Sequence, residues 1–168
     1  QESVKLLRAT LPTTIEMKTF IETEHDFVNA DAVQLHQVIM NLCTNAGHAM
    51  QPDGGTLTLR LHDAQLDQSY ADQDPDIAPG PHVQITVADT GHGIKSEALE
   101  KIFDPFFTTK KPGEGTGMGL SVVHGIVKQL GGSLRVSSEP GEGTEFNIYL
   151  PAMERYEAIT LQHENALP

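Results

Sequence analysis

Between Asp31 and Met50 the apolar residues Val33, Leu35, Val38, Ile39, Leu42, Ala46 and Ala49 return with the helical period. This predicts one long helix, with Asp31 as its N-cap and with Pro52 and Asp53-Gly54-Gly55 ending it. Elsewhere the period is two. Alternation predicts strands over 13–21 (Ile15, Met17, Ile21), 56–62 (Leu57, Leu59, Leu61), 82–89 (Val83, Ile85, Val87), 133–137 and 144–150, with a short stretch at 27–30. Residues 1–9 read as the end of a helix broken by Pro12. A short helix is expected at 96–102 and a longer one at 118–130, closed by Gly131-Gly132; a Pro140-Gly141 turn joins the last two strands. Strands mixed with three helices and a closing hairpin predict an α+β fold, a two-layer sandwich. The expected layout is an upstream helix end or linker at 1–12, one domain at 13–151 and a tail or linker at 152–168.

Between the second and third of the main strands, residues 63–76 carry Asp63, Asp67, Asp72, Asp74 and Asp76 without a lysine or arginine. With Pro75, Pro79 and Pro81 nearby, this connection is expected to be an exposed, mobile loop. The whole chain of 168 residues has a formal charge of −12, with 38% hydrophobic and 20% charged residues. That suits a globular domain, and it argues against general affinity for nucleic acid or anionic lipid. Taken alone it also argues against an anionic ligand. The single cysteine, Cys43, excludes an intramolecular disulfide and a multi-cysteine metal site. No apolar run reaches the roughly 20 residues of a membrane span, and residues 1–10 are not expected to act as a signal peptide. A cytoplasmic setting is expected. Gln1 in place of an initiator methionine suggests a piece of a longer protein.

Four local features carry candidate chemistry. On the long helix, Gln37, Asn41, Asn45 and His48 recur at helical spacing and form a polar stripe beside the apolar face. Asparagine is a poor helix-interior residue, whereas its amide oxygen is a hard ligand suited to Mg²⁺; the alternative is a solvated helix face. At the end of a buried strand comes Asp89-Thr90-Gly91-His92-Gly93-Ile94. Its carboxylate can accept from an exocyclic amine such as that of adenine, and its glycines permit close backbone approach; a plain tight turn would read the same. Next, Phe103-Asp104-Pro105-Phe106-Phe107-Thr108-Thr109-Lys110-Lys111 is either an aromatic anchor for a loop or an ordinary core cluster. Last, Gly113-Glu114-Gly115-Thr116-Gly117-Met118-Gly119-Leu120 leads into a helix, where free N–H groups and the dipole favour an anion. It is neither a Walker A loop nor a dinucleotide fingerprint.

In this order the four features resemble the ATP-binding catalytic domain of sensor histidine kinases, in the superfamily shared with gyrase, Hsp90 and MutL. QVIMNLCTNAGHAM (37–50) resembles the N box, DTGHGI (89–94) the G1 box, FDPFFTTK (103–110) the F box and GEGTGMGLS (113–121) the G2 box. The closing GGSLRVSSEPGEGTEFNIYLP (131–151) resembles the last glycine box and hairpin. The wording of the F and G2 boxes is nearest the nitrogen-regulatory and hybrid branch. The resemblance implies a Bergerat fold, a mixed and mostly antiparallel sheet of about five strands covered by three helices, with ATP and Mg²⁺ as cofactors. It implies Asn45 as metal ligand and Asn41 as its partner one turn earlier. It implies Asp89 as reader of the adenine amine and Gly91 and Gly93 as the base-pocket glycines. Gly115, Thr116, Gly117, Gly119 and Leu120 would form the hinge and phosphate-facing end of an ATP lid spanning about 104–117. His48 and Lys110 or Lys111 become candidate phosphate contacts, and Thr144 a candidate base-pocket residue.

Two departures bear on mechanism. Hydrolytic members of the superfamily carry a glutamate at the position matching Asn41, and an amide cannot act as general base near neutral pH. Transfer to a side chain is therefore expected over hydrolysis. The acceptor histidine belongs on a separate helical dimerisation domain, with a response-regulator receiver domain downstream. The isolated domain is expected to be a monomer and the parent a homodimer. Glu24-His25-Asp26-Phe27 resembles the phosphoacceptor motif, but it lies between two predicted strands and only 16 residues before Asn41. It is expected not to be the acceptor. The rival readings are a self-sufficient ATPase of the gyrase or MutL kind and a non-catalytic nucleotide sensor. The charge is unevenly spread as well: Lys95, Lys101, Lys110 and Lys111 gather around the expected lid.

Overall fold

The structure, a computed structural model, describes residues 2–24 and 28–153. His25, Asp26 and Phe27 lie outside the described residues, as do residues 154–168. The elements are α1 (Glu2–Thr10), β1 (Ile15–Glu22), α2 (Ala32–Ala49), β2 (Gly55–Leu66), α3 (Gln68–Ala71), β3 (Gly80–Asp89), α4 (Ser96–Leu99), α5 (Gly119–Gln129), β4 (Ser133–Glu139) and β5 (Gly143–Pro151). One five-stranded sheet has the order β1-β2-β3-β5-β4. β1 runs parallel to β2, and the other pairs are antiparallel. This is the expected mixed sandwich.

The registers Leu59↔Val87, Leu61↔Ile85, Val87↔Phe146 and Ile85↔Ile148 stack the apolar set of each strand on one face. Helix α2 is nucleated by Asp31, whose carboxylate accepts from the Val33 N–H at 2.7 Å. Its residues Val38, Leu42, Cys43 and Ala46 are buried in the same core as Leu57, Val87, Val123, Val127 and Ile148. Helix α1 is not a free spacer: Leu7 is fully buried in that core, and the Arg8 guanidinium donates to the Ile15 carbonyl at 2.6 Å. The opposite face of the sheet is polar. There Gln84 Nε2 and Thr86 Oγ1 both donate to Asn147 Oδ1, at 2.8 and 2.7 Å.

The connection expected to be a mobile loop is not one. β2 continues to Leu66, and Asp67 then caps α3 by accepting from Tyr70 N–H at 3.0 Å. Ala71 and Ile77 are buried. Tyr70 lies edge-on to Tyr149, with the Arg135 guanidinium 3.7 Å from its ring centre. Asp74 accepts from Ser133 Oγ and, at 3.1 Å, from Lys128 Nζ, which pairs also with Asp76. The acids thus lace the β2–β3 hairpin to α5 and β4. Smaller differences are that α4 stops at Leu99, short of 102, and that Val28 contributes only an isolated bridge to Ala152 in place of a strand at 27–30.

Candidate functional site

The polar stripe of α2 faces the start of α5. Asn41 and Asn45 are half-buried. A β-carbon built on Gly119, the first residue of α5, would lie 3.5 Å from Asn41 Oδ1 and 4.0 Å from Asn45 Nδ2. Glycine therefore lets the helix start come close to both amides. The N-cap residue, Met118, makes no side-chain capping bond. The first N–H groups of an eleven-residue helix thus open beside two amide side chains.

At the end of β3, Asp89 Oδ1 accepts from the Gly91 N–H at 2.8 Å. Burial pushes the Asp89 carboxyl above the usual aspartate range, while N–H bonds from Gly91 and Thr144 and the nearby His92 partly offset it. Asp89 and Thr144 are register partners across β3 and β5. The buried Thr144 shares a 2.9 Å hydroxyl contact with Ser138, whose Oγ also accepts from Ile94 N–H at 2.8 Å. The turn after Asp89 is clamped on two sides. His92 N–H donates to the Ala49 carbonyl at 3.0 Å, and the His92 carbonyl accepts from Gly141 N–H at 2.8 Å. Gly93, at φ +71°, lies so close to the Glu139 carbonyl that a β-carbon would meet its oxygen at 2.1 Å. Only glycine fits there.

The segment expected to form a lid, 104–117, is clipped near its ends. Phe106 N–H donates to the Gly117 carbonyl at 2.9 Å, and both residues lie at positive φ, +68° and +67°. For Phe106 that conformation is strained, and the residue is 76% exposed. A β-carbon on Gly117 would lie 2.4 Å from the Phe106 carbonyl carbon. We expect Gly117→Ala to open this clip at a local cost of about 1–3 kcal/mol, raising amide exchange across 107–116. The melting temperature should fall little, because residues 108–116 are exposed apart from Lys110 and none of them belongs to the core. Within the lid, Thr116 Oγ1 accepts from Met118 N–H at 3.3 Å, Gly115 packs on the stem of Lys110, and Lys110 Nζ lies 2.7 Å from His48 Nδ1. Phe103 stacks on His124 of α5 with ring centres 5.3 Å apart, while Phe107 and Leu120 pack at the edge of the core.

The fold therefore gathers the expected residues into groups: Asn41, Asn45 and Gly119; Asp89, Gly91, Gly93 and Thr144; His48, Lys110 and Gly115. Leu120 turns its side chain to the core and has only its backbone N–H to give a ligand. Sequence reading missed Ser138, which ties the turn to the closing hairpin. Its position on an alternating strand looks like any other polar one. The Phe106–Gly117 clip was equally hidden, because a positive φ at phenylalanine has no sequence signal. Among the described residues no three His, Cys, Asp or Glu side chains meet as a metal site, and no helix is long and apolar enough to cross a membrane.

Residues 30–154 match the family described as histidine kinase-, DNA gyrase B-, and HSP90-like ATPase. The sensor kinase CckA of Brucella abortus is 48% identical over 126 residues, covering 75% of this chain and 13% of that protein. The sensor histidine kinase ZraS of Salmonella typhi is 41% identical over 128 residues, covering 76% of this chain and 24% of its own length. The chain thus spans a quarter or less of these relatives. Among solved structures, the mycobacterial sensor histidine kinase MprB superposes with a TM-score of 0.67 at 27% identity, covering 90% of each chain. Full-length ShkA, in complex with AMPPNP, gives 0.68 at 26% identity over 91% of this chain and 29% of that one. The chain belongs to the histidine kinase-, DNA gyrase B- and HSP90-like ATPase family, as a catalytic ATP-binding domain of the sensor histidine kinase kind.

Proposed function

We propose that this domain binds Mg²⁺-ATP and presents the γ-phosphate to a histidine on a separate helical dimerisation domain, in two-component signalling with a receiver domain downstream. The cytoplasm is the proposed location, and a homodimer the proposed parent. The observation that carries the reading is the uncapped start of α5 opening beside Asn41 and Asn45.

The residues present suit both groups. Asp89 is a desolvated carboxylate that accepts N–H bonds from Gly91, on Oδ1, and from Thr144, and a carboxylate's roughly four acceptor sites leave capacity for an amine donor. That is a match for the exocyclic group of adenine. The α5 N-terminus supplies N–H donors for phosphate oxygens. Asn45 offers a hard amide oxygen of the type Mg²⁺ accepts alongside waters and phosphates. When bound, the metal neutralises negative charge on the β- and γ-phosphates. The protein's own part is to position the nucleotide, exclude water with the lid and supply fixed donors. Asn41 cannot take a proton from water, so this chain holds no general base there for hydrolysis. The incoming imidazole nitrogen forms the new bond to phosphorus, the bond to the ADP oxygen breaks, and ADP leaves.

Mixing the chain with its cognate helical domain and γ-labelled ATP should give acid-labile, base-stable phosphohistidine on that domain. Tight ATP binding without that product would overturn the kinase reading, and steady phosphate release that depends on Asn41 would favour the ATPase rival. ATP at 100 times its dissociation constant should stabilise the fold by about 2.7 kcal/mol, read as a thermal shift.

A further inference from the structure

The contact between His48 and Lys110 joins residues 62 positions apart, one in the last turn of α2 and one in the lid. An ammonium carries donors and no acceptor, so at 2.7 Å it is Lys110 that donates and His48 Nδ1 that accepts. This fixes the imidazole as neutral, with its proton on Nε2. Lys110 is also distinguished by its packing. It is the one residue of 108–116 that is not exposed, and Gly115 covers its stem so closely that a β-carbon there would lie 2.9 Å from Cδ. Lys111 is exposed. The two lid lysines are therefore not equivalent, and the histidine is already committed to one of them.

Building on the ATP-binding reading, we propose that His48 is a positioning residue: it holds the Lys110 ammonium, and with it the lid, beside the phosphate end of the site, and does not itself take a phosphate oxygen. An ammonium has three donors, so one can stay on His48 while two remain for phosphate. Asn45 lies one helical turn before His48, which puts the held ammonium on the side of α2 where the metal and the phosphates would sit. The charged groups acting on His48 are Lys110 and Glu114, both from the lid. Burial and then Lys110 disfavour the imidazolium, and Glu114 opposes them. With its value held below the ordinary 6.5, the bonded histidine favours the clasp fully above that pH. As pH falls from 6.5 through the lowered value, protonation removes the acceptor and sets two cations together, and the clasp is lost.

The test is a ¹⁵N NMR titration of His48 in the 168-residue chain, with ATP and ADP affinities measured by calorimetry at pH 8. The wild type should show the Nε2–H tautomer and a His48 titration below 6.5. Lys110→Met should move that titration upward, and Glu114→Gln should move it further down. His48→Ala should lower the ATP-to-ADP affinity ratio about tenfold, as Lys110→Met does, and the double variant should lose no more than either single one. His48→Asn, whose Oδ1 replaces Nδ1, should restore the ratio. An unmoved His48 titration in Lys110→Met, or losses that add in the double variant, would overturn the positioning role while leaving ATP binding intact. A wild type that binds no ATP would instead overturn the nucleotide reading, and the titration would still decide whether the clasp exists.

Discussion

Asp89→Asn should weaken ATP binding by about a hundredfold, close to 2.7 kcal/mol, and remove most of the thermal shift that ATP produces. The carboxylate has two acceptor oxygens, and one is already taken by the Gly91 N–H. An amide replaces one acceptor with a donor. If its oxygen stays on Gly91, its NH₂ faces the amine of the base. If it flips, its NH₂ faces Gly91. Either orientation sets donor against donor in a half-buried site. The ligand-free fold should respond in the opposite direction. Burial holds the Asp89 carboxyl above its ordinary range, so the folded chain binds more protons than the unfolded one in that window. Stability therefore falls as pH rises through it, and at neutral pH the ionised group is a net cost. A neutral asparagine removes that cost. Calorimetry with ATP and melting without it should give weaker binding and an unchanged or higher melting temperature. Loss of the fold in Asp89→Asn, or wild-type affinity, would sink the adenine assignment. By the same sign, wild-type affinity should decline as pH falls through the raised value.

What could be read in the sequence was what neighbouring residues decide. Asp31 and the spacing of Val38, Leu42 and Ala46 suffice for α2, and Val83, Ile85 and Val87 suffice for the core face of β3. The glycine boxes were legible for a related reason. Gly93 at Glu139 and Gly143 at the Asp89 carbonyl are positions where any β-carbon would collide with backbone. What stayed hidden depends on partners far along the chain. The 63–81 connection has the composition of a loop, and only the folded chain brings Lys128, Ser133 and Arg135 to meet Asp74, Gln73 and Tyr70. That β1 is a parallel edge strand follows from its crossover through α2, which alternation cannot reveal.

The net charge of −12 is a case where position outweighs the total. The hairpin of β2 and β3 runs from Leu57↔Asp89 at one end to Leu66↔Gly80 at the other. At about 3.3 Å per residue that puts Asp63, paired with Val83, roughly 20 Å from Asp89 and the acids beyond Leu66 roughly 30 Å away. Screening at physiological salt acts over about 8 Å, so the acids scarcely reach the nucleotide end. Asp74 and Asp76 are in any case engaged with Lys128. At the site itself Lys110 and the start of α5 set the local field. An acidic chain can therefore take an anionic nucleotide.

Asn45→Ala should lower phosphotransfer by about a thousandfold while ATP binding falls far less. The substitution removes one hard oxygen from the place proposed for Mg²⁺ and leaves the Asp89 pocket untouched. Charge stabilisation by a bound metal in phosphoryl transfer is worth several kcal/mol, and each 1.4 kcal/mol is about tenfold in rate. The base-binding end should hold the nucleotide still, so the loss belongs to the chemical step and not to capture. Stability should not fall, because alanine is the better helix former by up to about 0.7 kcal/mol and Asn45 is only half-buried. Single-turnover transfer to the cognate helical domain, measured across a range of Mg²⁺, separates the possibilities. A weakened metal site should recover part of its rate at high Mg²⁺. A rate that stays low at every concentration would mean that Asn45 orients phosphate directly, and a wild-type rate would remove it from the site. Asn41→Ala is the matched control on the preceding turn. Because Asn41 is an amide and not a base, its loss should slow transfer without altering the dependence on pH. Steady hydrolysis by the wild type that vanishes in Asn41→Ala would instead place water, not histidine, in line with the γ-phosphate.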